Sequence, residues 1–364
     1  MPELKKTVVQ NFRNIELQEL EFSPKFNCIS GGNGEGKTNL LDAVWYLSMA
    51  KSAFSSSDRF NFRHGQDAFA LSGVYSMPSG PDTRISIKVD GAGKQIRRDD
   101  KPYGRISSHI GLLPVVMVSP ADVAMVSESG EERRRFSNAV LSQMSAEYLD
   151  AVQHYSRLLQ QRNHILKEGA PDWTLVDVLD ERMDGYARRI FEERSSLAER
   201  LNPLVQELYA SISGGAEQVE ISYRSDLQKG PLLDLLRSGR EKDAVFKYTS
   251  AGVQRDDFIF SLDGYPIRKC GSQGQQKSFL VALKFAQYEL MKRSYGFPPI
   301  LLLDDLFDKL DMARVQNLLS MVAGAGFGQI FLSDSNKVRL SGIVDSLTEE
   351  RSYYEAKGGV FTRI

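Results

Sequence analysis

The stretch Gly31-Gly32-Asn33-Gly34-Glu35-Gly36-Lys37-Thr38 satisfies the pattern G-x-x-x-x-G-K-[ST] at every required position. No other feature of the chain narrows its fold as far. A loop of this type wraps its backbone N–H groups around the phosphates of a nucleotide. Its lysine neutralises them and its threonine hydroxyl serves a magnesium ion. Glycine is required because the backbone must approach the anion closely, often at positive φ. A chain of this length meets the pattern by chance about once in a hundred, so the flanks decide. Phe26–Ser30 is a short β-prone run. Leu40, Leu41, Val44, Leu47 and Ala50 recur at helical spacing. Strand, glycine loop and helix is the context the motif needs, and the helix N-terminus adds its dipole to phosphate binding. The residues expected to hold ATP are therefore Gly31, Gly32, Asn33, Gly34, Glu35, Gly36, Lys37, Thr38 and Asn39.

The chain has 364 residues, 26% charged and 41% hydrophobic, enough for two domains of ordinary globular composition. Its net charge of −1 means that nucleic-acid binding must rely on local basic patches. Cys28 and Cys270 stand far apart, which argues against a zinc site or a disulfide framework and fits a reducing cytoplasm. The start of the chain lacks a signal-peptide core, and no apolar run reaches membrane-spanning length, so no membrane partner is expected. His64, His109, His154 and His164 are scattered and read as structural or surface residues.

Strand signals fill the first third: Thr7–Val9, Leu17–Phe22, Phe69–Tyr75, Arg84–Val89 and Pro114–Val118. Ser79-Gly80-Pro81 and Asp90-Gly91-Ala92-Gly93 read as hairpin turns. From about Arg133 to Leu236 the texture becomes helical. Tyr148, Val152, Tyr155, Leu158 and Leu159 make one apolar stripe, and Ile190, Leu197, Leu201 and Leu204 another. Breaks at Gly169-Ala170-Pro171 and Gly214-Gly215 exclude a long coiled coil. Strand signals return at Val219–Tyr223 and Phe258–Leu262. Pro299–Leu303 is uniformly apolar, as in a parallel strand buried on both faces, and Gln329–Ser333 reads as another central strand.

Two further motifs bear on chemistry. Ile300–Leu303 ends in Asp304-Asp305. Asp304 is expected to share magnesium with Thr38, and Asp305 to orient or deprotonate the attacking water. Lys37 and Asp304 must meet although they stand at opposite ends of the chain, so the ATPase lobe is built from both ends: residues 1–115 and 255–364, with 116–254 as an inserted, mainly helical lobe. The second motif is Ser272-Gln273-Gly274-Gln275, in which Ser272, Gly274 and Gln275 match the serine, second glycine and glutamine of the ABC-type signature L-S-G-G-Q. A helix N-terminus there presents amides and a hydroxyl to a γ-phosphate. The following helix holds this turn roughly 25 Å from the carboxylate strand, at about 1.5 Å per residue. The turn is therefore expected to serve the nucleotide of a second copy, in a symmetric ATP-dependent homodimer.

In shared order, several segments resemble the RecF family of bacterial recombination and repair ATPases, of the SMC/ABC class. They are Asn11-Phe12-Arg13-Asn14, Asn33–Leu41, Lys51-Ser52, Arg133-Arg134-Arg135-Phe136, Gln161-Arg162-Asn163, Arg255-Asp256-Asp257, Ser272–Gln276 and Leu303-Asp304-Asp305. The resemblance runs nearly end to end. Departures include Asp42 where glutamate is usual, Gly252-Val253-Gln254 where G-P-H is usual, and Ala53-Phe54-Ser55, which lacks the usual arginine. Ser333-Asp334-Ser335 lacks the histidine of transporter-type ATPases. The resemblance implies ATP-dependent binding to duplex DNA or gap junctions, and cooperation with RecO and RecR in loading RecA during repair and replication restart.

Other basic residues admit two readings. Arg133-Arg134-Arg135 either touches DNA phosphates or pairs with Glu131, Glu132 or Asp122 at a helix start. Arg97, Arg98 and Lys101, near Lys94, form a candidate DNA patch on a hairpin. Arg13 is a candidate contact to the nucleotide. The expected whole is an α/β protein with an ABC/SMC-type lobe, using ATP and Mg2+ as a slow, DNA-stimulated ATPase. Slow turnover is expected because aspartate at 305 is shorter than the glutamate of transporters. The alternatives are another SMC-like switch, a P-loop phosphotransferase, a nucleotide switch without turnover, and a transporter's ATPase subunit.

Overall fold

The computed structural model describes residues 1–364 apart from 129, 169–170, 216, 306–323, 325, 337–340 and 343. Strands β1 (Glu3–Phe12), β2 (Ile15–Glu21) and β3 (Phe26–Ser30) lead into helix α1 (Lys37–Met49). Strands β4 (Phe69–Ser76), β5 (Thr83–Asp90), β6 (Gly93–Arg98), β7 (Lys101–Pro102) and β8 (Val115–Val118) follow. Then come α2 (Ala124–Ser127), α3 (Gly130–Met144), α4 (Ala146–Lys167) and α5 (Trp173–Ser213). Next are β9 (Val219–Arg224), α6 (Leu232–Ser238), α7 (Arg240–Phe246), β10 (Asp257–Leu262), β11 (Tyr265–Pro266), α8 (Ile267–Cys270) and α9 (Gln273–Tyr295). Strands β12 (Ile300–Leu303), β13 (Ile330–Asp334), β14 (Arg351–Lys357) and β15 (Val360–Arg363) complete the described elements.

The chain divides into two compact units, Met1–Asp122 with Gln287–Ile364, and Val123–Ala286. These bounds differ from the divisions at 115/116 and 254/255 expected from sequence, and strand pairing explains why. β8 hydrogen-bonds to β12, which keeps 116–118 in the first unit. β10 pairs with β9, so that sheet stays with the helices of the second unit and the first half of α9 goes with it.

The first unit holds two sheets. One has the order β15-β14-β3-β13-β12-β8. Its neighbours β14, β3, β13, β12 and β8 are all parallel, and only β15 runs antiparallel at the edge. Every residue of β3, β8, β12 and β13 is buried, which is why these runs are apolar without alternation. The other sheet is antiparallel, β2-β1-β4-β5-β6-β7. Its strand β4 alternates buried and half-buried positions, the signature of a sheet with one face on the core. Helix α1 touches both sheets. It is accordingly buried nearly all round, from Leu40 and Leu41 through Tyr46 to Met49.

In the second unit α4 packs along α5, a helix of 41 residues. The expected stripes are its core: Tyr148, Tyr155, Leu158, Ile190, Leu197, Leu201 and Leu204 are buried, while Val152 and Leu159 are half-buried. Gly214 ends α5 in the left-handed region at φ 82°, a conformation glycine adopts without penalty. Of the other expected helix break, Gly169 and Ala170 lie outside the described residues.

Candidate nucleotide-binding site

The glycine loop leaves the end of β3 and enters α1 directly. Gly31 sits at φ 156°, and a Cβ there would come within 2.5 Å of the Ala356 carbonyl on neighbouring β14. Gly36, at φ 105°, would place a Cβ 2.8 Å from the Asn14 side-chain amide. Gly31 therefore excludes a larger residue by contact as well as by backbone conformation, and Gly36 by its backbone conformation. Asn14 also accepts a hydrogen bond from Asn39 Nδ2 at 2.7 Å, tying the β1–β2 turn to the first turn of α1.

Lys37 is buried, and its Nζ donates to the carbonyls of Gly31 at 2.8 Å and Gly32 at 3.0 Å. It lies 3.8 Å from Asp305 Oδ2. Thr38 Oγ1 donates to both oxygens of Asp304, at 3.0 and 2.8 Å, across 266 positions of sequence. The parallel order brings this about: with β3, β13 and β12 all parallel, β12 delivers Asp304 to the same C-terminal end of the sheet at which β3 delivers the loop. Asp304 is 3% exposed. Burial raises its pKa, while hydrogen bonds from Ser333 and Thr38 and the charge of Lys37 favour the carboxylate. A hydroxyl beside a carboxylate is a hard oxygen donor pair, and these residues fit magnesium, which prefers few protein oxygens and retains water.

Ser333, at the end of β13 between those two strands, was not among the sequence candidates. Its hydroxyl donates to Asp304 Oδ1 at 2.6 Å and accepts from the Asp305 N–H at 3.0 Å. Asp305 is held at φ 41°, unusual for a residue other than glycine. The sequence signal was weak: a serine closing an apolar run.

Arg13 is turned toward the body of the unit. Its Nη2 donates to Asp42 Oδ2 at 2.8 Å and to Ser52 and Ser55 Oγ at 3.1 Å, and Nη1 lies 3.4 Å from Asn39 Oδ1. Asp42 is fully buried and also accepts from Ser52 and from the Ala53 N–H. Burial raises the Asp42 pKa and the Arg13 charge opposes that rise. The Asn-Phe-Arg-Asn and Lys-Ser segments thus meet at one buried ion pair behind the loop.

A second support comes from the far end of the chain. The Gly358-Gly359 turn between β14 and β15 donates the Gly358 N–H to the Glu35 carboxylate and the Gly359 N–H to the Glu35 carbonyl at 2.9 Å. The sequence carries no clear strand signal for this hairpin. The paired glycines were its one available cue.

In the second unit Ser272 and Gln275 cap the start of α9 reciprocally. Gln275 N–H donates to Ser272 Oγ at 3.2 Å, and Ser272 N–H donates to Gln275 Oε1 at 2.6 Å. Gln275 Nε2 also donates to Glu217 at 2.5 Å. Gly274 lies in the first turn of the same helix. Of the arginine cluster, Arg133 forms an ion pair with Asp257 at 2.7 Å and Arg134 Nη1 donates to the Asp256 carbonyl at 2.8 Å. Arg135 is exposed and bridges Glu131 and Glu132. Arg135 thus has the glutamate partners expected from sequence, whereas Arg133 and Arg134 are tied instead to Asp257 and to the Asp256 carbonyl, which the start of β10 brings to α3. On the hairpin patch, Arg97, Arg98 and Lys101 are exposed, whereas Lys94 is tied to Asp58 at 3.0 Å. Burial pushes the Cys28 thiol up to about 12, which removes it as a nucleophile. Among the described residues no helix is long and apolar enough to cross a membrane.

A family model for the AAA domain matches residues 6–208, more than half of the chain. The DNA replication and repair protein RecF of Porphyromonas gingivalis is 43% identical over 353 residues, 96% of this chain and 97% of that protein. The chain belongs to the RecF family. RecF of Bacteroides thetaiotaomicron is 41% identical over 363 residues, covering 99% of this chain and 98% of its own length. A solved structure of the recombination mediator protein RecF with ATP, of the RecFOR pathway, matches with a TM-score of 0.89 at 27% identity, covering 100% of this chain and 98% of that one. The Smc head domain of Pyrococcus furiosus matches with a TM-score of 0.58 at 15% identity, a likeness of fold alone. The RecF and SMC-head architecture is thus the α/β fold of this protein, and the described residues contain no long coiled coil.

Proposed function

We propose that this protein is an ATP-gated DNA-binding protein of recombinational repair and replication restart, and a slow ATPase. One observation carries the reading: the Thr38 hydroxyl meets the Asp304 carboxylate beside Lys37 and Asp305, at the mouth of a glycine loop with the required backbone. In this reading the N–H groups of Gly32–Thr38, with Lys37, bind the ATP phosphates, and Asn39 orients the start of α1. Arg13 acts on the nucleotide indirectly, through Asn39 and Asp42. Thr38 and Asp304 would hold magnesium, which supplies charge neutralisation of the phosphates when bound. Asp305 then serves as the base or orienting group for water.

Ser272, Gly274 and Gln275 are proposed to meet the γ-phosphate held by a second copy, so that ATP joins two subunits and its hydrolysis releases them. Duplex DNA or a gap junction is the proposed cargo of the ATP-bound dimer, with RecR, RecO and RecA as pathway partners and the cytoplasm as the location. The family relationship supports these roles, and the solved RecF structure with ATP supports the nucleotide. Sizing by light scattering, with and without Mg-ATP, for the parent and Lys37→Met tests the reading. A parent that doubles in mass with ATP while Lys37→Met stays single is expected. A parent that binds ATP yet remains monomeric at high concentration would sink the dimer.

A further inference from the structure

We infer that Ser333 is a positioning residue that couples the metal-ligand carboxylate to the carboxylate that handles water, an inference that rests on the nucleotide reading above. Its one hydroxyl joins both halves of the Asp304-Asp305 pair. The Oγ–H donates to Asp304 Oδ1 at 2.6 Å, and the same oxygen accepts the Asp305 N–H at 3.0 Å. Ser333 is fully buried on β13, between the strand that carries the loop and the strand that carries the aspartates. It is thereby fixed to the sheet rather than to a loop.

Two consequences follow from the geometry. Oδ1 of Asp304 is shared by Ser333 and Thr38, whereas Oδ2 accepts from Thr38. Ser333 thus selects the rotation of the carboxylate and leaves Oδ2 as the oxygen turned toward the threonine. The Asp305 backbone sits in the left-handed region at φ 41°, sparsely populated by residues other than glycine. The bond from the Asp305 N–H to Ser333 helps hold that conformation, and Asp305 Oδ2 in that pose lies 3.8 Å from Lys37 Nζ. The two adjacent aspartates are thus tied through Ser333 Oγ as well as through the peptide bond that joins them. Groups that orient metal ligands typically change metal affinity or activity about 10–100-fold when removed.

The test titrates a fluorescent ATP analogue against magnesium concentration for the parent, Ser333→Ala, Ser333→Thr and Ser333→Val, with melting curves and ATPase rates beside it. Threonine and valine differ by a hydroxyl against a methyl at nearly equal size, so that pair decides the matter should the alanine variant not fold. Expected is a loss of about tenfold in magnesium-supported nucleotide affinity in Ser333→Ala and Ser333→Val. Affinity without magnesium should stay near the parent's, kcat should fall more than KM, and Ser333→Thr should restore both. Threonine and valine variants with the same magnesium response would overturn the inference. A parent that binds no nucleotide overturns the nucleotide reading with it, whereas a parent with a normal magnesium response beside an unchanged Ser333→Val overturns this inference alone.

Discussion

Arg13 and Asp42 show how one residue pair supports a binding loop from behind. The carboxylate is fully buried and receives Arg13, Ser52 and the Ala53 N–H together. Removing the arginine leaves a buried charge with less compensation, a change that typically costs about 3–5 kcal/mol. Arg13→Ala is accordingly expected to lower the urea midpoint strongly, and Asp42→Asn in the same background to recover part of the loss. An Arg13→Ala variant with parental stability and a specific loss of ATP affinity would instead assign Arg13 to the nucleotide directly. The sequence made Arg13 visible as a candidate. Its partner was invisible, because nothing in a linear chain says which of many carboxylates is buried beside it.

At the scale of elements, single side chains fasten helix ends and loops. His109 Nε2 lies 2.7 Å from the Leu47 carbonyl near the end of α1, a contact that needs a proton on Nε2. Burial lowers the His109 pKa below the ordinary 6.5, and the nearby Arg98 charge acts the same way. The unfolded chain therefore binds a proton more readily than the folded one. Stability from this group is complete above the unfolded value and is lost as pH falls through it toward the folded value. Urea midpoints measured from pH 7.5 to 5 should fall in the parent and fall less steeply in His109→Gln; parallel slopes would contradict the assignment.

In the second unit, fully buried Arg162 of α4 binds Asp180 of α5 at 2.6 Å, Asp243 of α7 at 2.7 Å and Thr249 at 2.9 Å. Its neighbour Asn163 accepts from the Thr249 N–H at 2.8 Å. The Gln-Arg-Asn segment is thus a structural tie between three helices. Arg162→Met strands two carboxylates and should destabilise by about 3–5 kcal/mol, readable as a lowered midpoint with ATP affinity retained. The helices themselves were legible from their apolar spacing. The hairpin β14–β15 was not, because its residues alternate weakly and its stability comes from pairing with β3, a partner more than three hundred residues away in sequence.

For the whole molecule, the glycine loop is enclosed by both ends of the chain. β1 and its turn bring Asn14 to Gly36 and Asn39, and the last hairpin brings Gly358 and Gly359 to Glu35. A protein ending at Lys357 loses β15 and both contacts to Glu35. It should bind a fluorescent ATP analogue about tenfold more weakly, the size of effect expected when a preorganised site loses its supports. Unchanged affinity in a folded truncated chain would show that the hairpin is dispensable to the loop.

What the sequence determined by itself was local chemistry: a loop whose glycines, lysine and threonine suit phosphates, apolar runs that had to be buried strands, and a carboxylate pair at the end of one of them. These follow from side-chain type at short spacing, which a linear pattern preserves. Tertiary structure alone decided that Ser333 joins Asp304 to Asp305, that Arg13 faces Asp42, and that residue 358 touches residue 35. Such contacts depend on strand order and on which side chains burial forces together, and a hydrogen bond or ion pair formed across the sheet leaves no trace in the residues lying between its partners.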